Sequence, residues 1–254
     1  MTLEVVGDAA ADALIPRLLD GLTQSLGANL FAVYLFGSGA VGTFEAGVSD
    51  VDIAAIVEHE LAPPELDALD RMHRELVVEA PEWDGRVEVV YVSTKGLRMF
   101  RDWPSAAARI SPGEPFHAIV VDPTWLIDWY QLREVGVTLV GPPPTEVVPV
   151  ISKSEYVEAV RRLILTWPTD ELGTLGNQAY AILTMCRGLR TVRTGEYVSK
   201  QEAARWASEQ LPAYAELIRT ALAWREERRG ATDDATPTRT EAAAFVREIA
   251  SLVE

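Results

Sequence analysis

Asp50 and Asp52 stand one residue apart at the start of an apolar stretch, Val51 to Val57, and Gly37-Ser38 stand eleven residues upstream of them. A stretch of that composition predicts a strand. The two-residue period of a strand then puts both carboxylates on one face, roughly 7 Å apart along the chain. Two carboxylates so close repel, so one takes a proton or a cation sits between them. Hard oxygen ligands suit Mg²⁺, which uses one or two protein carboxylates and fills its octahedron with water and substrate phosphates. That is the chemistry of phosphoryl and nucleotidyl transfer. Gly37 lets the backbone approach a ligand closely, and Ser38 adds a hydroxyl donor. Ser49, directly before the acids, has two readings: a further donor, or a turn hydroxyl bonded to local backbone.

A third acid, Glu88, interrupts a β-branched run from Arg86 to Val92, bounded by Pro81 and Gly85 upstream and Ser93-Thr94-Lys95-Gly96 downstream. The run predicts a strand of the same sheet. Glu88 is either an edge-strand acid in water or a carboxylate that needs a partner.

Gly37-Ser38, the gap and Asp50-x-Asp52 resemble the signature of the nucleotidyltransferase superfamily related to DNA polymerase β. Within it, the chain resembles the aminoglycoside adenylyltransferases that modify streptomycin and spectinomycin, over most of its length and fading after about residue 228. The resemblance implies ATP and Mg²⁺, with Asp50, Asp52 and Glu88 as metal ligands and Glu88 as the base that deprotonates the acceptor hydroxyl. It also implies a role in antibiotic resistance. Leu183-Thr184-Met185-Cys186-Arg187, Val198-Ser199-Lys200 and Ala203 to Ala207 resemble the family's C-terminal signature. There the matching Arg and Lys reach across a cleft to the triphosphate, which assigns Arg187 and Lys200 to the nucleotide. Chemically, Arg187 offers a planar fork and Lys200 a point charge; apart from the resemblance, Arg187 reads equally as a solvated helix residue. Lys200 falls in the first turn of a helix, where the dipole disfavours a cation, which argues for another use. Trp167, Asp170, Glu171 and Asn177 fall where the family grips its drug. The streptomycin enzymes carry an acid where this chain has Asn177. Trp167 also reads as core packing.

The bulk numbers agree with such a protein. The chain of 254 residues is 48% hydrophobic, enough for one or two domains with a real core. A net charge of −15 speaks against a nucleic-acid backbone as the main ligand and suits a small cationic substrate, although acids also simply keep a protein soluble. One cysteine, Cys186, in an apolar helical stretch, predicts a core residue and no internal disulfide. With no signal-peptide pattern in the first residues and no apolar run near ~20 residues, the expectation is a cytoplasmic protein, not a membrane one, and a monomer.

The expected architecture is α+β: a nucleotidyltransferase domain over residues 1–150, a mixed sheet with flanking helices, then an α-helical bundle over 151–254, with ATP and Mg²⁺ between them. Helices are expected at 8–26, capped by Asp8 and closed by Gly27, and from Pro63-Pro64, with Leu66, Leu69, Met72 and Leu76 inward and His73 on the surface. Residues 93–120 read as irregular. Asp122-Pro123 opens a helix to about Glu134, Gly136 to Val140 reads as a short strand, and Gly141-Pro142-Pro143-Pro144 as a stiff linker. In the second half, Ser152 to Glu155 and Ser199 to Glu202 are capping boxes. The first opens a helix burying Tyr156, Val160, Leu163 and Ile164. A long helix runs from about Asn177 to Thr194, Pro212 starts another, and a last one buries Phe245, Val246, Ile249 and Leu252. Gly230 to Pro237 reads as a turn. Two further functions stand beside drug adenylylation: nucleotidyl transfer to a protein hydroxyl, as in toxin–antitoxin pairs, and a non-catalytic nucleotide-binding module.

Overall fold

The computed structural model describes residues 5–227 and 235–254. It divides into two compact units, Met1–Ile151 and Ser152–Glu254. In the first, Asp8 accepts the amides of Ala10 and Ala11 and opens α1 (Ala9–Leu26). This satisfies two of the donors that a helix start leaves without partners. One turn in, the buried Asp12 takes the amides of Val5, Val6 and Gly7, and so fastens the preceding segment to the helix. Pro63 opens α3 (Pro63–Glu79) at its first position, where a missing N–H costs nothing.

A six-stranded sheet runs in the order β5-β4-β3-β2-β1-β6. Its strands are β1 (Leu30–Phe36), β2 (Val51–Val57), β3 (Val87–Ser93), β4 (Ser105–Ser111), β5 (Glu114–Val121) and β6 (Val137–Val140). Only β2 and β3 are parallel neighbours, joined by the α3 crossover; the other pairs are antiparallel, so the sheet is mixed. One face, with Val33, Leu35, Ile53, Val89 and Tyr91, buries Leu14, Leu18 and Leu22 of α1 and Leu69 and Leu76 of α3. Each such side chain contributes about 1.5–3 kcal/mol by leaving water. The other face, with Tyr34, Phe36, Ala54 and Val90, packs on Trp129 and Leu132 of α5 (Leu126–Val135) and on Leu97 of α4 (Thr94–Met99). Asp52 and Glu88 alternate onto this second face.

In the first unit, three features of the fold differ from the sequence expectation. Residues 93–120 are ordered: α4 leads into the β4–β5 hairpin, turned at Pro112-Gly113 with Gly113 at φ 81°. Ala106-Ala107-Ala108 has weak strand propensity by itself, and pairing with β3 overrides it. Gly141 to Pro144 is no linker. Tyr34 donates its hydroxyl to the Pro142 carbonyl (2.8 Å), and α6 (Pro144–Val147) starts at Pro144 and tucks Val147 against the sheet.

His73 is buried, 3% exposed, not on the surface. Its Nε2 lies 2.6 Å from the Tyr91 hydroxyl, and its ring stacks on Phe116. Burial lowers its pKa to about 4, the carboxylate of Asp70 opposing the shift. The unfolded chain therefore takes up this proton near the usual 6.5 while the folded chain resists it. Stability falls as pH drops from 6.5 towards 4, by at most about 3 kcal/mol. In thermal melts across that window, His73→Gln should fall less steeply with acid than the native chain.

The second unit is helical, and the described residues contain no strand there. Its helices are α7 (Lys153–Leu165), α8 (Leu175–Thr194), α9 (Lys200–Gln210), α10 (Ala215–Glu226) and α11 (Thr236–Ser251). Ser152 and Glu155 form the reciprocal capping box, and Gly195 closes α8. The helices α7, α9, α10 and α11 all pack on α8. A Cβ on Gly188 of α8 would lie 2.9 Å from Cδ1 of Ile164 of α7, so the two helices approach closely there. Gln178 of α8 is fully buried and fully used: Nε2 donates to the carbonyls of Leu172 and Ala235, and Oε1 accepts the Thr238 hydroxyl. Cys186 is a core residue whose burial pushes its thiol up to about 12. Leu163 and Leu252, expected inward, are exposed: Leu163 falls to the side of the stripe that α7 buries, and Leu252 lies past the end of α11. The long helix α8 starts at Leu175 with Thr174 as cap, two residues before the expected Asn177. The turn expected at Gly230 to Pro237 falls mainly outside the described residues, as does the segment before Val5; α11 already includes Thr236 and Pro237. Among the described residues no helix is long and apolar enough to cross a membrane.

Candidate active site

Strand β1 ends at Phe36, and the chain enters α2 (Gly37–Ala40), a single turn. Gly37 sits at φ 62°, a conformation that side-chain-bearing residues rarely adopt. A Cβ there would lie 2.0 Å from Oδ2 of Asp52, so the Gly37 backbone rests directly on that carboxylate. The cause is register: Phe36 pairs with Asp52 across β1 and β2. Asp52 pairs in turn with Glu88 across the parallel β2–β3 ladder. Pairing of β3 with β4 begins only at Val89, so Glu88 occupies a strand end, half-buried, within an interior strand. The Gly turn and two acids are thus brought together by three adjacent strands.

Asp50 lies outside the ladder, one residue before β2. Its loop is fastened locally. The Ser49 hydroxyl accepts the Glu45 amide (3.0 Å), and the Ser49 and Val48 amides return to the Glu45 carbonyl. Ser49 is 3% exposed, which is the turn role of its two readings. Among the described residues no group of three or more His, Cys, Asp or Glu stands close enough to hold a metal ion. Register gathers Asp52 and Glu88, whereas Asp50 is placed by its loop. The donor chemistry still fits magnesium, which needs only one or two protein carboxylates beside phosphate oxygens. The glycine backbone seated on Asp52 leaves no side chain to shield it.

Sequence reasoning passed over Arg86. The residue is 5% exposed, and its guanidinium lies 4.5 Å from the centre of the Trp83 ring and donates to the Ser49 carbonyl (2.7 Å). A buried arginine is legible only once its partners are known, because arginine is ordinarily a surface residue.

In the helical unit the expected residues fall into two groups. Trp167 lies 5.7 Å from Tyr180, ring centre to ring centre, and Nζ of Lys200 is 5.1 Å from the Tyr180 ring. Lys200 opens α9 behind the Ser199 cap, and this aromatic face is a use for a cation that the dipole disfavours. Tyr180 is 55% exposed and was not singled out from sequence, since a tyrosine in a helix reads first as packing. Two turns along the same face of α8, Arg187 lies 5.7 Å from the Tyr197 ring. Asn177 donates its side-chain amide to the Glu171 carbonyl (2.9 Å), and Arg239 donates to the Asp170 carbonyl (3.1 Å). An aspartate at 177 has no N–H for the first of these bonds.

The aminoglycoside adenylyltransferase C-terminal domain matches residues 146–251. Spectinomycin 9-adenylyltransferase of Staphylococcus aureus is 28% identical over 201 residues, covering 73% of this chain and 74% of that protein. Aminoglycoside (3'')(9) adenylyltransferase of Klebsiella pneumoniae is 26% identical over 228 residues, covering 80% and 82%. The chain is similar to aminoglycoside adenylyltransferases over most of its length. The fold is shared with the spectinomycin adenyltransferase of Enterococcus faecialis, solved with ATP and spectinomycin. The TM-score is 0.72 at 19% identity, over 95% of this chain and 98% of that one.

Proposed function

We propose that this chain transfers AMP from Mg-ATP to a hydroxyl of a spectinomycin- or streptomycin-type aminoglycoside and releases pyrophosphate. The observation that carries this reading is the register Phe36–Asp52–Glu88, which sets two acids side by side under the Gly37 turn in a chain similar to these adenylyltransferases. Asp50 and Asp52 are the residues that would hold magnesium. When bound, the ion neutralises phosphate charge and helps the acceptor hydroxyl ionise. Gly37 and Ser38 present backbone and hydroxyl donors to the phosphates. Ser49 keeps the loop closed around Glu45. Glu88 takes the proton of the acceptor hydroxyl as its oxygen attacks the α-phosphorus. The bond from that phosphorus to the bridging oxygen breaks on the opposite side, and pyrophosphate leaves with the bridging oxygen. Arg187 and Lys200 supply cations for the remaining phosphate charge. Trp167, Asp170 and Glu171 offer an aromatic face and acids to a cationic drug, with Asn177 shaping their loop.

The test is a panel: purified protein, Mg-ATP and each of streptomycin, spectinomycin, kanamycin and gentamicin, read by mass spectrometry. A gain of one adenylyl group on streptomycin or spectinomycin is expected. No gain on any of the four overturns the reading. Arg187→Ala should raise KM for ATP by roughly 10-fold, as loss of one charged hydrogen-bonding partner does, with KM for the drug unchanged. An unaltered ATP KM would remove Arg187 from the nucleotide site.

A further inference from the structure

We propose that Arg86 is a positioning residue for Asp50, and through it for the divalent cation that the transfer reaction uses; this rests on the function proposed above. Asp50 stands outside the strand ladder, so register does not fix it. The residues on both sides of it are held by one residue. On one side, Nη2 of Arg86 donates to the Ser49 carbonyl at 2.7 Å. On the other, the Val51 amide donates to the Arg86 carbonyl at 2.9 Å. Asp50 is bracketed between them.

The bracket is itself anchored. The Arg86 amide donates to the Trp83 carbonyl at 3.0 Å, and the guanidinium lies over the Trp83 indole. Burying a guanidinium is costly unless its charge is compensated by hydrogen bonds and an aromatic face. A charge-assisted bond to a carbonyl in a buried setting is stronger and better directed than a neutral one. Arg86 also stands directly before β3, two residues ahead of Glu88. One side chain therefore ties the loop acid to the strand that carries the proposed base. Lysine cannot reproduce this geometry, because it lacks both the planar stack on indole and the fork of donors.

The experiment measures adenylyl transfer at saturating ATP and spectinomycin while Mg²⁺ is varied, for the native chain, Arg86→Lys and Arg86→Met, with thermal melts alongside. Groups that orient metal ligands typically change metal affinity or activity by about 10–100-fold when replaced. The half-saturating Mg²⁺ concentration should rise by that order in both variants, more in Arg86→Met. KM for spectinomycin should not move, and excess Mg²⁺ should restore much of kcat. A folded variant with native Mg²⁺ dependence overturns the proposal. So does a loss of kcat that Mg²⁺ does not rescue. If neither variant folds, Arg86 serves stability alone and the proposal is equally overturned. Absence of transfer by the native chain is a separate outcome, and it sinks the functional reading instead.

Discussion

Glu88→Gln leaves ATP affinity near its native value and lowers turnover at least ~100-fold, the scale of a lost general base. Glutamine keeps the size and one carbonyl acceptor of glutamate but cannot take a proton. Glu88 lies at the end of β3, where β2 alone flanks it in the ladder and Asp52 is its cross-strand partner. Removing its charge relieves repulsion between two neighbouring acids, so the fold should not suffer. Turnover measured at saturating Mg-ATP and drug, with ATP binding measured by calorimetry, separates the two effects. Native turnover in this variant would remove Glu88 from the mechanism. A parallel loss of ATP binding would instead make it a binding residue.

Gly37→Ala should cost as much in turnover, through geometry and not through chemistry. A methyl group at this position would meet Oδ2 of Asp52 at 2.0 Å, and either the turn or the carboxylate must move. The φ of 62° adds about 1–2 kcal/mol of backbone strain for any residue with a Cβ. Displacing an acid by about 1 Å from a reacting phosphate costs on the order of 100-fold. Gly27→Ala is the matched control. Gly27 also has a positive φ, of 51°, but nothing lies within 4 Å of its Cβ position, and it closes α1 away from the acids. It should lose stability and keep turnover. Equal turnover in both variants would show that the contact with Asp52 does not matter to catalysis.

The acids and the glycine turn were legible in the sequence because their chemistry is carried by residue type and spacing. A strand after Gly-Ser and a second strand holding Asp-x-Asp follow from apolar runs and turn residues, and β1 and β2 have those compositions. Caps were equally legible: Asp8, Ser152 and Ser199 each accept backbone amides as their side chains suggest. What stayed hidden depends on pairing across the sheet. Nothing local marks Ala106 to Ala108 as strand, and the Pro112-Gly113 turn is informative only with a partner strand on each side. The inward side of α3 includes His73 because Tyr91, eighteen residues on, offers its ring nitrogen a partner. Arg86 was invisible for the same reason: its hydrogen-bond partner is the carbonyl of Ser49, 37 residues before it in the chain. The shared strand face inferred for Asp50 and Asp52 does not carry over directly, because the strand begins between them, at Val51.

The most direct measurement is diffraction from crystals grown with ATP, the drug and Mn²⁺ in place of Mg²⁺, using the anomalous signal to locate the metal. The account predicts a peak coordinated by Asp50 and Asp52, with the α-phosphate on the Glu88 side of it. A nucleotide and metal bound away from these acids would contradict it.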